Sequence, residues 1–300
     1  MKSNKNTLGV IMAISTGIGW GLSGIFSQYL FSTTTMKPAW FVAIRMLVAG
    51  LVLFIINLFT NREDLLRLQH NIRDLLVGIL AGTVGTLLFQ ISCYSAVKES
   101  NAPTAIILQY LCPVMIILYQ CIAKRKLPKK IEMLTVLLAL AGIFIISTHG
   151  DIHQLILSPK ALLWGLATAF FMTLASIIPE GLYQKYSVQS VTAIMLLSGG
   201  IVATLAVRPW KDIPQMEVVQ ILSLLSAILF GSVFAYVVYA FAIKYIGSAK
   251  ASLCACAEIP TATILAVLCL HNEFTAMDLI GFVLIASTIF LSTIKKKHVQ

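Results

Sequence analysis

Three hundred residues of which 58% are hydrophobic and 11% charged carry more apolar surface than a soluble fold of that length can cover. The apolar residues fall in nearly charge-free runs of about 20 residues, the length of a bilayer crossing. That excludes a greasy soluble core, and the short turns between runs leave no room for a separate catalytic or nucleic-acid-binding domain.

Ten runs follow one another, at about 8–31, 39–59, 74–97, 102–123, 131–148, 160–180, 188–207, 218–243, 248–270 and 276–294. Helices are expected, because lipid satisfies no free backbone amide or carbonyl and the runs lack the alternation of barrel strands. Lys2 and Lys5 precede the first run as in a secretory signal, but Phe31-Ser32-Thr33-Thr34-Thr35 is a poor cleavage site, so an uncleaved helix is expected. Its Gly17, Gly19, Gly21 and Gly24 do not make a dinucleotide fingerprint, which needs a preceding strand. Gly17 with Gly21, like Gly78 with Gly82 in the third run, are small residues four apart that let helices approach closely.

Polar and aromatic pairs recur at helical spacing: Trp20 and Ser23 in the first run, Gln90 and Tyr94 in the third, Tyr236 and Tyr239 in the eighth. Each pair can point to one side, and together with Gln109 and Tyr110, which lie one turn before Pro113 as the first-half counterparts of the region around Glu258, they suggest a pocket for an organic solute. Such aromatics also serve as interface anchors. Arg45 lies about two turns into the second run, where it can snorkel to the outer interface, pair with a carboxylate, or offer a fixed charge to an anion; anchoring is the simpler role.

Glu258 is the most unusual residue, halfway along the ninth run. A carboxylate at that depth costs a few kcal/mol on insertion scales, so it is expected to face the bundle interior. Pro260 removes a backbone donor and frees a carbonyl about a turn earlier. Two readings stay open for Glu258: satisfying amides and hydroxyls where helices are broken, or taking part directly in substrate or proton binding.

Cys93, Cys112, Cys121, Cys254, Cys256 and Cys269 all fall within apolar runs and suggest no disulfide framework. Cys254 and Cys256 diverge by about 200° on a helix, poor for shared metal ligation. His149, Asp151 and His153 read as a solvated loop rather than a metal site, and Lys124-Arg125-Lys126 with Lys129 and Lys130 as a topology anchor rather than a lipid-headgroup site. Neither a nucleophile–base pairing nor a phosphate loop is present, so an enzyme, a metal and a cofactor are not expected.

The net charge of +10 is unevenly placed. With the N-terminus in the cytoplasm, sixteen Lys and Arg residues fall inside and five outside (Lys37, Lys98, Lys160, Arg208 and Lys211), with Arg45 within a helix. This is the bias that orients membrane helices, and it assigns the charge to topology rather than to nucleic acid. Both termini are expected in the cytoplasm.

The halves also echo each other. Ala96-Val97-Lys98 leads through Asn101, Ala102 and Ala105 to Pro113, as Ala242-Ile243-Lys244 leads through Ser248, Ala249 and Ser252 to Pro260. A repeat of five crossings must enter the membrane inverted on its second pass, which places a shared cavity near the bilayer centre. The second copy has Glu258 where the first has Leu111.

Trp20-Gly21-Leu22-Ser23-Gly24, Arg45, Asn101-Ala102-Pro103-Thr104-Ala105 to Pro113, and Lys250-Ala251-Ser252 through Glu258-Ile259-Pro260, in that order, resemble the EamA family of the drug/metabolite transporter superfamily. The resemblance covers two tandem repeats, 8–148 and 160–293. It implies an all-α polytopic membrane protein with ten transmembrane helices as two inverted five-helix repeats, a plasma-membrane (bacterial inner-membrane) transporter that exports small organic metabolites such as amino acids. Two departures stand out. Glu273 matches the acidic residue common after the ninth helix, whereas its first-half counterpart is Lys126, and the first helix lacks the buried glutamate that couples protons in small four-helix relatives.

The expectation is a secondary transporter working by alternating access, with Trp20, Ser23, Gln90, Tyr94, Gln109, Tyr236, Tyr239 and Glu258 around the solute and Arg45, Pro113 and Pro260 in structural or charge-pairing roles. Its expected partners are a small organic solute and the lipid bilayer, not nucleic acid; a homodimer is open to it. An integral-membrane enzyme or a sensor without transport activity is the alternative.

Overall fold

Apolar runs without internal backbone partners form helices, and turn chemistry fixes where they begin. A computed structural model describes residues 2–112, 114–116, 119, 130–149, 157–246, 251, 254–255 and 257–294. Among these residues the regular structure is helical throughout: α1 (Lys2–Thr33), α2 (Pro38–Thr60), α3 (Arg62–His70), α4 (Ile72–Leu80), α5 (Leu88–Glu99), α6 (Ala102–Gln109), α7 (Lys130–Thr148), α8 (Pro159–Ile177), α9 (Glu180–Lys185), α10 (Val188–Val207), α11 (Val218–Ile228), α12 (Ala235–Ile246), α13 (Glu258–Leu270) and α14 (Ala276–Ile294). Two π-helical segments, π1 (Ala81–Leu87) and π2 (Leu229–Phe234), join α4 to α5 and α11 to α12 without interrupting either rod.

Six of the helical rods are long and apolar enough to cross a bilayer: Asn6–Thr33, Pro38–Thr60, Ile72–Glu99, Pro159–Lys185, Val188–Val207 and Val218–Tyr239. Shorter apolar helices stand at Val136–Ile146, Glu258–Leu270 and Ala276–Ser287, and α6 is a further apolar one. Leu51, Ile55, Leu137, Leu163, Leu205, Leu225 and Leu268 point outward, exposed as lipid-facing residues are. The chain is a polytopic membrane protein.

The helix starts are capped by short polar side chains. The Asn101, Ser158 and Ser187 side chains accept from the backbone N–H groups of Thr104, Ala161 and Ser190. Pro38 and Pro159 occupy first-turn positions that need no donor. Arg208 and His271 end α10 and α13 in the left-handed region, at φ 52° each.

Small residues set the closest packing. A Cβ on Gly50 or Gly200 would run into the backbone of the facing helix, at Leu197 and Leu47, so α2 and α10 lie in direct contact. Gly142 and Gly281 bring α7 close to α14, where a Cβ would run into the side chains of Ile285 and Ile146. In α1, Gly17 faces the Ala255 carbonyl and the Glu258 amide, and Gly21 faces Thr261; in the α4–α5 rod, Gly82 faces Met195 and Ser198.

The segment between the second and third runs reads in sequence as a polar turn, but it contains α3. Its Leu65 and Leu68 are fully buried against Leu182, Val191 and Ile194. One end of the bundle is tied there, where Lys185 Nζ meets Asp74 at 3.0 Å, Tyr186 donates to Asp74 at 2.9 Å, and the Ser187 amide donates to Asp64 at 3.1 Å. At the opposite end Lys37 meets Asp212 at 2.8 Å, Trp40 donates to the Pro209 carbonyl at 3.0 Å, and Gln28 joins Asn272 to the Ala102 amide. His149 Nε2 also lies there, 2.9 Å from Asp278; Asp151 and His153 lie outside the described residues.

Candidate functional site

Two apolar helices are interrupted inside the bundle. After α6 the backbone tightens at Tyr110 and Leu111, whose amides donate to Ile107 and Leu108 three residues back, and helix resumes at Cys112. In the second half a turn at Ala257 separates helical residues around Cys254 from α13. Pro260 therefore sits in the first turn of α13, where its missing N–H costs no helical bond. It is exposed.

The two breaks meet. Tyr110 Oη donates to Glu258 Oε2 at 3.0 Å, and both side chains are buried. A buried carboxyl group needs such a donor, and here it comes from the helix of the other half.

Beside this pair lies a cavity of about 200 Å³. Glu258, Trp20, Gln90, Tyr94, Gln109, Tyr236 and Arg45 line it, joined by Thr86, Phe89, Cys93, Met172, Ser176, Tyr183, Thr192 and Met195. Tyr183 and Thr192 belong to α9 and the first turn of α10, so the cavity reaches from the middle of the bundle toward the end tied by Asp74 and Lys185. Toward the other end, Phe31, Phe41 and Tyr94 pack edge to face with centroids 4.8 to 6.3 Å apart.

Arg45 is 4% exposed. Its Nε donates to Ser232 Oγ and its Nη2 to the Gly231 carbonyl at 2.9 Å, both on π2. Its guanidinium also lies 5.0 Å from the Tyr94 ring centroid and 5.9 Å from that of Phe41. Among the described residues it has no carboxylate partner within ion-pair distance.

The remaining expected site residues sit next to the cavity rather than on it. Ser23 donates to the Ala227 carbonyl at 3.1 Å, pinning α1 to α11. Tyr239 packs on Trp20 at 5.2 Å, behind the wall that Trp20 and Tyr236 form. Pro113 lies outside the described residues. Thr86, Phe89 and Cys93 were missed in sequence although Cys93 stands at helical spacing from Gln90 on one stripe. Met172, Tyr183, Thr192 and Met195 gave no polar periodicity to find them by.

The EamA-like transporter family matches residues 7–148 and again 159–294. The chain belongs to that family. Among similar proteins is the uncharacterized inner membrane transporter YicL of Salmonella typhimurium (strain LT2), 28% identical over 290 residues that make up 97% of this chain and 96% of that one. A crystal structure of a protein 16% identical superposes over 100% of both chains with a TM-score of 0.63, a likeness of fold alone. In this EamA-like chain, then, the cavity and the two broken helices stand at the centre of a membrane transporter fold.

Proposed function

We propose that this chain is a secondary transporter of the bacterial inner membrane that exports small organic metabolites such as amino acids or related compounds by alternating access. The observation that carries the reading is the meeting of two interrupted helices, through Tyr110 and Glu258, at a cavity in the middle of the bundle. Broken helices at mid-depth are how secondary transporters present backbone and side-chain polar groups to a solute.

An inverted five-helix repeat, 8–148 and 160–293, is supported by like packing in the two halves. The α4–α5 rod packs on α8 and α10 as the α11–α12 rod packs on α1 and α2, and α2 packs on α10 as α7 packs on α14. The positive charge at the Lys185 end supports a cytoplasmic assignment for that end, with both termini inside. On that assignment the cavity, lined in part by Tyr183 and Thr192, reaches toward the cytoplasmic end, from which an exporter loads its solute. Trp20, Gln90, Tyr94, Gln109, Tyr236 and Glu258 contact the solute, with Ser23 and Tyr239 supporting the wall.

The test is counterflow in proteoliposomes with labelled amino acids, amphipathic cations and organic acids. Saturable exchange of at least one solute is expected. Absence of flux across the whole panel, from protein shown to be folded, overturns the reading.

A further inference from the structure

Arg45 holds a charge for which the described residues supply no ion pair. A guanidinium cannot shed its proton in a protein and carries five N–H donors. Here its side edge is occupied, by Ser232 at Nε and the Gly231 carbonyl at Nη2, while Nη1 is buried and has no hydrogen-bond partner among the described residues. The residue lines the cavity and is 4% exposed. Leaving a charged donor unsatisfied in such a place is costly, and the two neutral acceptors and two ring faces around it return only part of the cost.

A second orphan lines the same cavity. Gln90 is 3% exposed, and its Oε1 accepts from nothing among the described residues. The cavity therefore offers one buried donor with positive charge and one buried acceptor, neither with a partner among the described residues. Glu258 does not fill the first, since it is not within ion-pair distance of Arg45 and one of its oxygens accepts the hydrogen bond of the Tyr110 hydroxyl.

We infer that Arg45 Nη1 is the docking point for the carboxylate of a transported organic acid, and that Gln90 Oε1 accepts an N–H or O–H from the same molecule. The aromatic wall of Trp20, Tyr94 and Tyr236 takes its apolar part. Binding satisfies both orphans and neutralises a cation that π2 already holds in place. The inference rests on the transport reading and narrows it: a solute without an anionic group leaves Arg45 Nη1 without its acceptor.

The experiment is binding to the purified full chain in detergent by calorimetry. The probes are propionate, lactate, 3-phenylpropionate and L-phenylalanine, each against its primary amide, with inorganic phosphate and sulfate as free oxyanions. At least one acid is expected to bind saturably, with its amide about tenfold to a hundredfold weaker, the span of a charge-assisted hydrogen bond. Arg45→Lys is expected to weaken the acid by at least about tenfold, since a point charge does not replace Nη1. Gln90→Leu should weaken lactate or phenylalanine more than propionate or 3-phenylpropionate. Amides that bind as tightly as acids, or no binding by any acid, overturn the inference without recourse to a variant. Phosphate or sulfate binding as tightly as the best acid overturns the organic assignment. Flux of cations in proteoliposomes with no acid bound removes the anion site and leaves the transporter standing; acid binding with no flux of any solute does the reverse.

Discussion

Tyr110 and Glu258 join the two broken helices, and the strength of that link is open to measurement. Both are buried, at 9% and 6% exposure, and the bond is 3.0 Å long. Tyr110→Phe keeps the ring and its packing while leaving a carboxyl oxygen without its donor. The expected loss is about 1–3 kcal/mol for a buried group left unsatisfied. Glu258→Gln retains an acceptor oxygen at the same place and is expected to lose less, about 1 kcal/mol. Because Tyr110 has further interactions, the pair is isolated by the double variant. Its coupling energy should fall at about 0.6–1.7 kcal/mol, the range of interhelical hydrogen bonds within membranes. Reversible unfolding by SDS in mixed micelles, followed by tryptophan fluorescence and circular dichroism, gives all four corners of the cycle. Single effects that add within about 0.3 kcal/mol would refute a direct bond and separate the two helix breaks energetically.

Packing and topology give further outcomes. Gly200→Val, whose side chain meets the Leu47 backbone, should destabilise by at least about 2 kcal/mol in the same assay, whereas Gly181→Ala, with nothing within 4 Å, should be neutral or stabilise by up to about 1 kcal/mol. Ser232→Ala removes the acceptor of Arg45 Nε at a site 1% exposed and should cost about 1–3 kcal/mol, with an accompanying change in tryptophan fluorescence if Arg45 shifts within the cavity wall. On a background without accessible native thiols, Asp212→Cys should react with a membrane-impermeant maleimide on intact spheroplasts and Arg67→Cys only on inside-out vesicles; the opposite pattern would reverse the topology.

Much of this arrangement is legible in the sequence because lipid imposes strict rules. Charge-free runs had to be helices, Gly17 and Gly21 had to face a close neighbour, and Glu258 could not face lipid. The proline of the second half pointed to an interruption, though the turn falls at Ala257 and leaves Pro260 harmlessly in a first turn. What pairs with Glu258 was not legible, since Tyr110 lies 148 positions away and only the tertiary fold decides which hydroxyl arrives. Arg45 read as an anchor because its depth allows it to reach the interface. The close approach of π2, which puts Gly231 and Ser232 against it, holds it inward instead. Helix α3 escaped notice because its two buried leucines are too few to show a period against charged neighbours.

The π segments carry few polar residues, yet they govern which way the cavity residues point. Each wide turn takes up more chain than the α ladder around it, so everything beyond it is out of phase with what precedes it. On α5 that phase aims Gln90, Cys93, Tyr94 and Val97 along one stripe into the cavity. Loss of one residue between 81 and 87, returning the rod to plain α geometry, would turn the stripe by about 100° and exchange it for a different set of side chains. A lineage could in this way change what the cavity presents to a solute by a single deletion, with every lining residue still encoded.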